Sequence, residues 1–247
     1  MPAALTLADL EKAYLRDPDG LAERLTAVDG GSAALLQLLR DEAARDGWFW
    51  LKFVLTRDEA DQSDSVKPFP VHLDYLRDLW SVFTTRNLVC IAKSRQMLVS
   101  WALAAFAVWT CRSRPHQSVY WQTQKEADAV GMVCGAKGAA DSRCQFIEKN
   151  LPDWLRMPIR ESEGEIVFPN GSLIQGLAGG AGQIRGKTAS LIILDEFAHM
   201  EQQKEIWTSI APLIQKGAKA FIVSTPNGSG NRFAELFHGR KLDEESL

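Results

Sequence analysis

The residues best suited to chemistry are two adjacent carboxylates that close an apolar run, Leu191-Ile192-Ile193-Leu194-Asp195-Glu196. Such a run reads as a strand buried on both faces, which delivers Asp195 to the carboxyl edge of a sheet. There a carboxylate can hold a hydrated magnesium ion, and the next acid, Glu196, can orient and polarise an attacking water. The bland alternative is a strand that ends in a solvated acidic pair. A second segment, Lys93-Ser94-Arg95-Gln96-Met97-Leu98-Val99-Ser100-Trp101, stands at a strand–helix junction. Phosphate-binding loops read GxxxxGK followed by Ser or Thr: glycines let backbone N–H groups wrap the phosphates, lysine meets the β/γ charge and the hydroxyl binds magnesium. Ser100 holds the hydroxyl position, but Leu98 and Val99 replace the second glycine and the lysine, and Lys93 takes the first glycine's place. A basic loop capping a helix looks much the same. The functional reading needs Lys93 to fold back over the phosphates, with Arg95 as a second, bidentate donor.

A third segment, Phe221-Ile222-Val223-Ser224-Thr225-Pro226-Asn227-Gly228, is an apolar strand ending in small hydroxyl and amide side chains. Beside the carboxylate strand, Ser224, Thr225 or Asn227 could sense a terminal phosphate; alone the segment is a good turn. Leucine at position 98 implies either a loop that opens differently or weak nucleotide binding without a neighbour.

The elements that must position these groups alternate. Strands are predicted at Leu88–Ala92, Ser118–Gln122, Leu191–Leu194 and Ala220–Ser224, and helices near Ser100–Cys111, Lys125–Gly135, Ser142–Asn150, Glu201–Gln215 and Arg232–Phe237. This is the pattern of an α/β fold, a mostly parallel central sheet flanked by helices. Glu165 to Leu177 reads as a hairpin turning at Asn170-Gly171. Five glycines between Gly176 and Gly186 predict a mobile loop rather than an element. Upstream, Leu5 to Arg45 has helical periodicity broken by turns, Thr56 to Pro70 reads as a surface loop, and a helix is expected from Val71 to Thr84. The expected division is residues 1–60 as a small N-terminal helical subdomain, 61–240 as the core and 241–247 as a charged tail.

Bulk properties agree with one soluble domain. The 247 residues are 46% hydrophobic and 24% charged. No apolar run approaches the roughly 20 residues of a membrane span, and the first residues do not resemble a signal peptide, so the cytoplasm is expected and no membrane partner. Cys90, Cys111, Cys134 and Cys144 have no zinc-like spacing and read as reduced, packed thiols. A net charge of −3 argues against a constitutively basic nucleic-acid coat, though not against a motor that grips DNA locally and lets go.

In order and spacing, Lys93 to Met97 with Ser100-Trp101, then Leu194-Asp195-Glu196-Phe197-Ala198, then Ser224-Thr225-Pro226-Asn227-Gly228 resemble the deviant Walker A, Walker B and coupling motifs of bacteriophage terminase large subunits. Phe168 to Ser172 and Arg185-Gly186 are similar to that family's approach to Walker B. The resemblance covers about Phe69 to Phe237. It implies a P-loop NTPase core of the ASCE/RecA-like kind that hydrolyses ATP with Mg2+ and drives double-stranded DNA into a capsid. Lys93 would be the displaced Walker A lysine, Ser100 and Asp195 would hold the metal, Glu196 would be catalytic, and Ser224, Thr225, Pro226 and Asn227 would couple hydrolysis to movement. Phe69, Pro70 and His72 sit where the family carries an adenine-contacting motif, without its glutamine. Arg185 is the positional match for an arginine acting in trans on a neighbouring subunit, with Arg143 a weaker candidate. The implied partners are other subunits in a ring, the portal protein and the small terminase subunit, in the host cytoplasm. A separate RNase H-like nuclease domain would follow, so the chain is expected to be a fragment. The competing readings are another DNA translocase or helicase, which needs motifs of a second RecA-like domain, and a binding module with a degenerate, non-hydrolysing site.

Overall fold

The structure, a computed structural model, describes residues 31–58, 65–94 and 97–239, without the side chains of 31–35 and 38. The helices expected before residue 31, Arg95, Gln96 and the tail at 241–247 lie outside the described residues.

Two helices, α1 (Gly31–Arg45) and α2 (Gly47–Trp50), lead into a 3-10 turn at Leu51–Phe53. The segment expected to be a surface loop then forms two strands, β1 (Leu55–Arg57) and β2 (Val66–Pro68), paired antiparallel. Alternation over three residues is too short to register as a strand; the partner makes it one. These strands lie on either side of the expected boundary at residue 60, and Trp109 Nε1 donates to Ala43 O at 3.0 Å, so α1 packs on the main core.

Helix α3 (Asp74–Thr85) follows, shifted slightly from its expected start. Then come β3 (Leu88–Ala92), α4 (Val99–Ser113), β4 (Ser118–Gln122), α5 (Glu126–Val133), α6 (Arg143–Lys149), β5 (Arg160–Ser162), β6 (Glu165–Val167) and β7 (Leu173–Leu177). The chain continues through β8 (Leu191–Asp195), a 3-10 turn at Phe197–His199, α7 (Gln203–Gln215), β9 (Lys219–Ser224) and α8 (Arg232–Phe237). All four predicted strands and five core helices form within two residues of their expected bounds. The sheet order is β3-β9-β8-β4-β7-β6-β5, parallel from β3 to β7, with β6 and β5 antiparallel at one edge.

Strand alternation sorts the core into two layers. Leu191, Ile193, Phe221 and Val223 face one cluster with α3 and α4, where Phe83 stacks on Phe221 at 4.6 Å. Ile192, Leu194, Ala220 and Ile222 face the other, with Ile206, Trp207 and Ile210 of α7. Every residue of α4 from Trp101 to Cys111 is buried, which is why its sequence is apolar all round. The Glu165–Leu177 hairpin forms as expected, and Gly171 supplies its turn at φ 81°. The glycine-rich segment departs from expectation. Gly176 belongs to β7, Ala181 and Ile184 are buried, and Gln122 Nε2 holds Ala178 O and Gly180 O at 2.9 Å each. Packing and a buried amide thus tie down a stretch whose composition alone suggests a free loop.

Candidate functional site

Strand β9 lies between β3 and β8, so the ends of β3 and β8 stand two strand spacings apart, about 10 Å. Lys93 leaves β3 with its N–H bonded to Ser224 O of β9 at 3.0 Å, and its side chain spans the gap. Lys93 Nζ lies 3.1 Å from Asp195 Oδ1, 3.1 Å from Ser100 Oγ and 3.3 Å from Glu196 Oε1. Ser100 Oγ in turn donates to Asp195 Oδ2 at 3.4 Å. The Lys93 and Asp195 side chains are 11% and 2% exposed, so this pair is held out of bulk water, where its attraction is strong and its separation costly.

Leu98 caps α4 in the left-handed region, φ 52° and ψ 9°, the conformation a glycine would supply at that position. A leucine there costs about 1–2 kcal/mol, and packing of its side chain on the core offsets that. The backbone at Leu98 thus keeps the left-handed geometry that a glycine would adopt. Tyr75 Oη donates to Met97 O at 3.3 Å and steadies the loop from α3.

Glu196 also adopts a left-handed conformation, φ 54° and ψ 39°, with its N–H on Asp195 Oδ1 at 3.1 Å. Strained backbone of this kind persists only where the surroundings over-determine it. Here Glu196 Oε2 accepts from Thr225 N at 3.2 Å, Thr225 Oγ1 at 3.1 Å and Ser224 Oγ at 3.4 Å. Partial burial pushes the Glu196 carboxyl up, but the Thr225 N–H, the Lys93 charge and the Thr225 hydroxyl together hold it below its ordinary value. The β9 end is further tied to the turn after β8: Ala198 N donates to Ser224 Oγ and Asn227 Nδ2 to Ala198 O, both at 3.1 Å. His199, which no motif marks, reaches Thr225 Oγ1 with Nε2 at 3.0 Å. A histidine one helical turn past a carboxylate pair carries no motif; only the fold brings it to Thr225.

A cavity of about 770 Å³ opens over these groups, lined among others by Lys93, Ser94, Met97, Leu98, Val99, Ser100 and Trp101. That is ample for a nucleotide. No group of three or more His, Cys, Asp or Glu poised for a metal occurs among the described residues. An ion here would take the Asp195 carboxylate, the Ser100 hydroxyl and oxygens of water or phosphate, a donor set that suits magnesium.

Residues 90–245 match the family described as terminase large subunit, T4likevirus-type, N-terminal. The chain belongs to this terminase family. Similar solved structures include the Thermus phage P74-26 large terminase ATPase domain, 20% identical over 62% of this chain and 64% of that one, with a TM-score of 0.47. The large terminase of another thermophilic bacteriophage, in complex with ADP, is 15% identical over 67% of this chain and 40% of that one, TM-score 0.42. The HK97 bacteriophage large terminase is 10% identical over 74% of this chain and 37% of that one, TM-score 0.49. The chain therefore spans less than two thirds of the length of these structures.

The fold gathers most of the residues the terminase motifs single out, and it separates some. All described loop residues from Lys93 to Trp101 line the cavity, as do Asp195, Glu196 and Thr225. Of the three residues expected on the adenine side, only Pro70 lines it. Phe69 is 3% exposed, turned into the core, and His72 is exposed outside the cavity. Pro68 and Leu73 also line the cavity. A Phe beside two prolines looks available from the sequence, but its backbone pairs with Val54 O and its ring joins the core. Arg185 is exposed, donates to Ser209 Oγ of α7 at 3.3 Å and lines no part of this chain's own site. Within the described residues no helix is long and apolar enough to cross a membrane.

Proposed function

We propose that this chain is the ATP-hydrolysing motor domain of a DNA-packaging terminase, acting with Mg2+ to drive double-stranded DNA into a capsid. The observation that carries the reading is the meeting of Lys93, Ser100 and Asp195 from β3, α4 and β8, within 3.1–3.4 Å, beneath a nucleotide-sized cavity. Lys93 and the N–H groups of the loop bind phosphate oxygens. Ser100 and Asp195 would hold magnesium, which when bound supplies charge that offsets the build-up on the terminal phosphate. Glu196 accepts a hydrogen bond from the attacking water and aims it in line with the leaving ADP oxygen. Because its carboxyl is held below the ordinary range, Glu196 orients and polarises the water and is a poor store for its proton. The link from Glu196 through Thr225 and Ser224 to Ala198 offers a path from phosphate state to the β9 end, the coupling role of Ser224 to Asn227.

On this reading the partners are duplex DNA, further copies in a ring, the portal protein and the small terminase subunit, in the host cytoplasm. Arg185, exposed and remote from its own site, serves a neighbour's. The decisive test is Glu196→Gln. It should bind an ATP analogue within a few-fold of the native affinity and lose hydrolysis by about 10³-fold or more; a variant that still turns over ATP at the native rate removes Glu196 from the mechanism.

A further inference from the structure

A second cavity, of about 570 Å³, is bounded by Thr123, Asp128 and His199. It shares Met132, Arg143, Asp195, Glu196 and Thr225 with the cavity above Lys93. The carboxylate pair thus stands where two cavities meet, and among the described residues Arg143 is the arginine or lysine that lines both. In phosphoryl transfer the reacting phosphate sits between the phosphate-binding loop and the group that orients water, here between Lys93 and Glu196. Arg143 lines that place from α6, outside the three motif segments.

Its position is built rather than incidental. Ser142 and Gln145 form a capping box at the start of α6, and Ser142 Oγ donates to Val130 O of α5 at 2.8 Å, which fixes the backbone beneath Arg143. The guanidinium lies over the ring of Trp101 at 5.5 Å, and Trp101 directly follows Ser100. Nη1 meets Met132 Sδ at 2.9 Å. The stem is therefore fixed, with the head at the seam of the two cavities.

We propose that Arg143 is a catalytic residue acting in cis: its guanidinium contacts the terminal phosphate bound in its own subunit and stabilises the charge that builds there during hydrolysis. This rests on the ATPase reading above and reverses the sequence expectation that Arg143, if catalytic, would serve a neighbour. The test is ATP hydrolysis by the chain with DNA. Arg143→Ala should lower kcat about 10²–10³-fold with nucleotide affinity changed only a few-fold. Arg143→Lys, which keeps a cation over Trp101, should fold as the native chain does and still lose about tenfold or more, because lysine cannot present the planar bidentate fork. Mixing Arg143→Ala with Glu196→Gln subunits should restore nothing, since each variant carries a dead site of its own. Native kcat in the lysine variant, or recovery of activity on mixing, would overturn the proposal. A native chain that binds no ATP overturns the ATPase reading itself, an outcome separate from either.

Discussion

Lys93 makes its polar contacts with Asp195, Ser100 and Glu196 in a setting where Asp195 is nearly sealed from water. Removing the ammonium leaves a buried carboxylate without its cation, which is more costly than never having had the pair. Lys93→Met should therefore destabilise the fold by about 3 kcal/mol, and the double variant with Asp195→Asn should recover most of it. Urea titration of the two singles and the double checks this; a double variant no more stable than Lys93→Met would mean the pair is not coupled. Glu196 makes a different prediction. Its carboxyl is lowered on folding, so the stabilisation its bonds provide is complete above the ordinary carboxylate range and is lost as pH falls through the lowered value. Glu196 should therefore produce no acid limb in kcat between about pH 5 and 7. A pH–rate profile with a limb in that range, retained in His199→Gln, would contradict the assignment.

Elements are joined behind the site by a second buried pair. Arg112 near the end of α4 meets Glu148 of α6 at 2.7 Å, and the other Glu148 oxygen accepts from Met157 N at 2.8 Å. Arg112 also donates to Leu155 O and lies under the Trp50 ring at 5.9 Å. Burial lowers Arg112 and raises Glu148, each only partly countered by the other, so the pair holds geometry at the expense of solvation. It links the helix carrying Ser100 to the helix carrying Arg143. Glu148→Ala should cost about 3–5 kcal/mol, read as a lower urea midpoint at unchanged slope. A loss under about 1 kcal/mol would show that α4 and α6 are held by apolar packing alone. At the sheet's far corner, Lys219 Nζ gathers the carbonyls of Phe83, Thr84 and Arg86 at 2.7–3.1 Å and so anchors the start of β9 to the end of α3.

At the scale of the whole molecule, two arginines are separated by the fold. Arg143 lines its own subunit's cavities, whereas Arg185 projects from the surface beside α7. If Arg185 completes a neighbour's site, Arg185→Ala should bind nucleotide normally and lose hydrolysis by about 10³-fold in the assembled ring. Mixing it with Glu196→Gln should restore activity, because the second variant lends its arginine to the first. Absence of recovery there would assign Arg185 to another surface, DNA among them. The opposite outcomes expected for the two arginines make one mixing experiment informative about both.

Sequence by itself determined the four core strands, the hairpin at 165–177, the core helices and the order of the loop, the carboxylates and the hydroxyl turn. Apolar runs of strand length can be buried on both faces in few ways, and the residues at their ends must then emerge along one sheet edge. It also flagged Leu98 as a departure, which the backbone absorbs by keeping a glycine's conformation at a leucine. Tertiary structure alone decided which ends are neighbours: β9 between β3 and β8 sets the reach of Lys93 and brings Thr225 to Glu196. It likewise turned Phe69 inward, paired β1 with β2, tied down the glycine-rich stretch and placed Arg143 on the cavities that the carboxylates line. Those outcomes depend on contacts between residues far apart in the chain, and local periodicity carries no information about them.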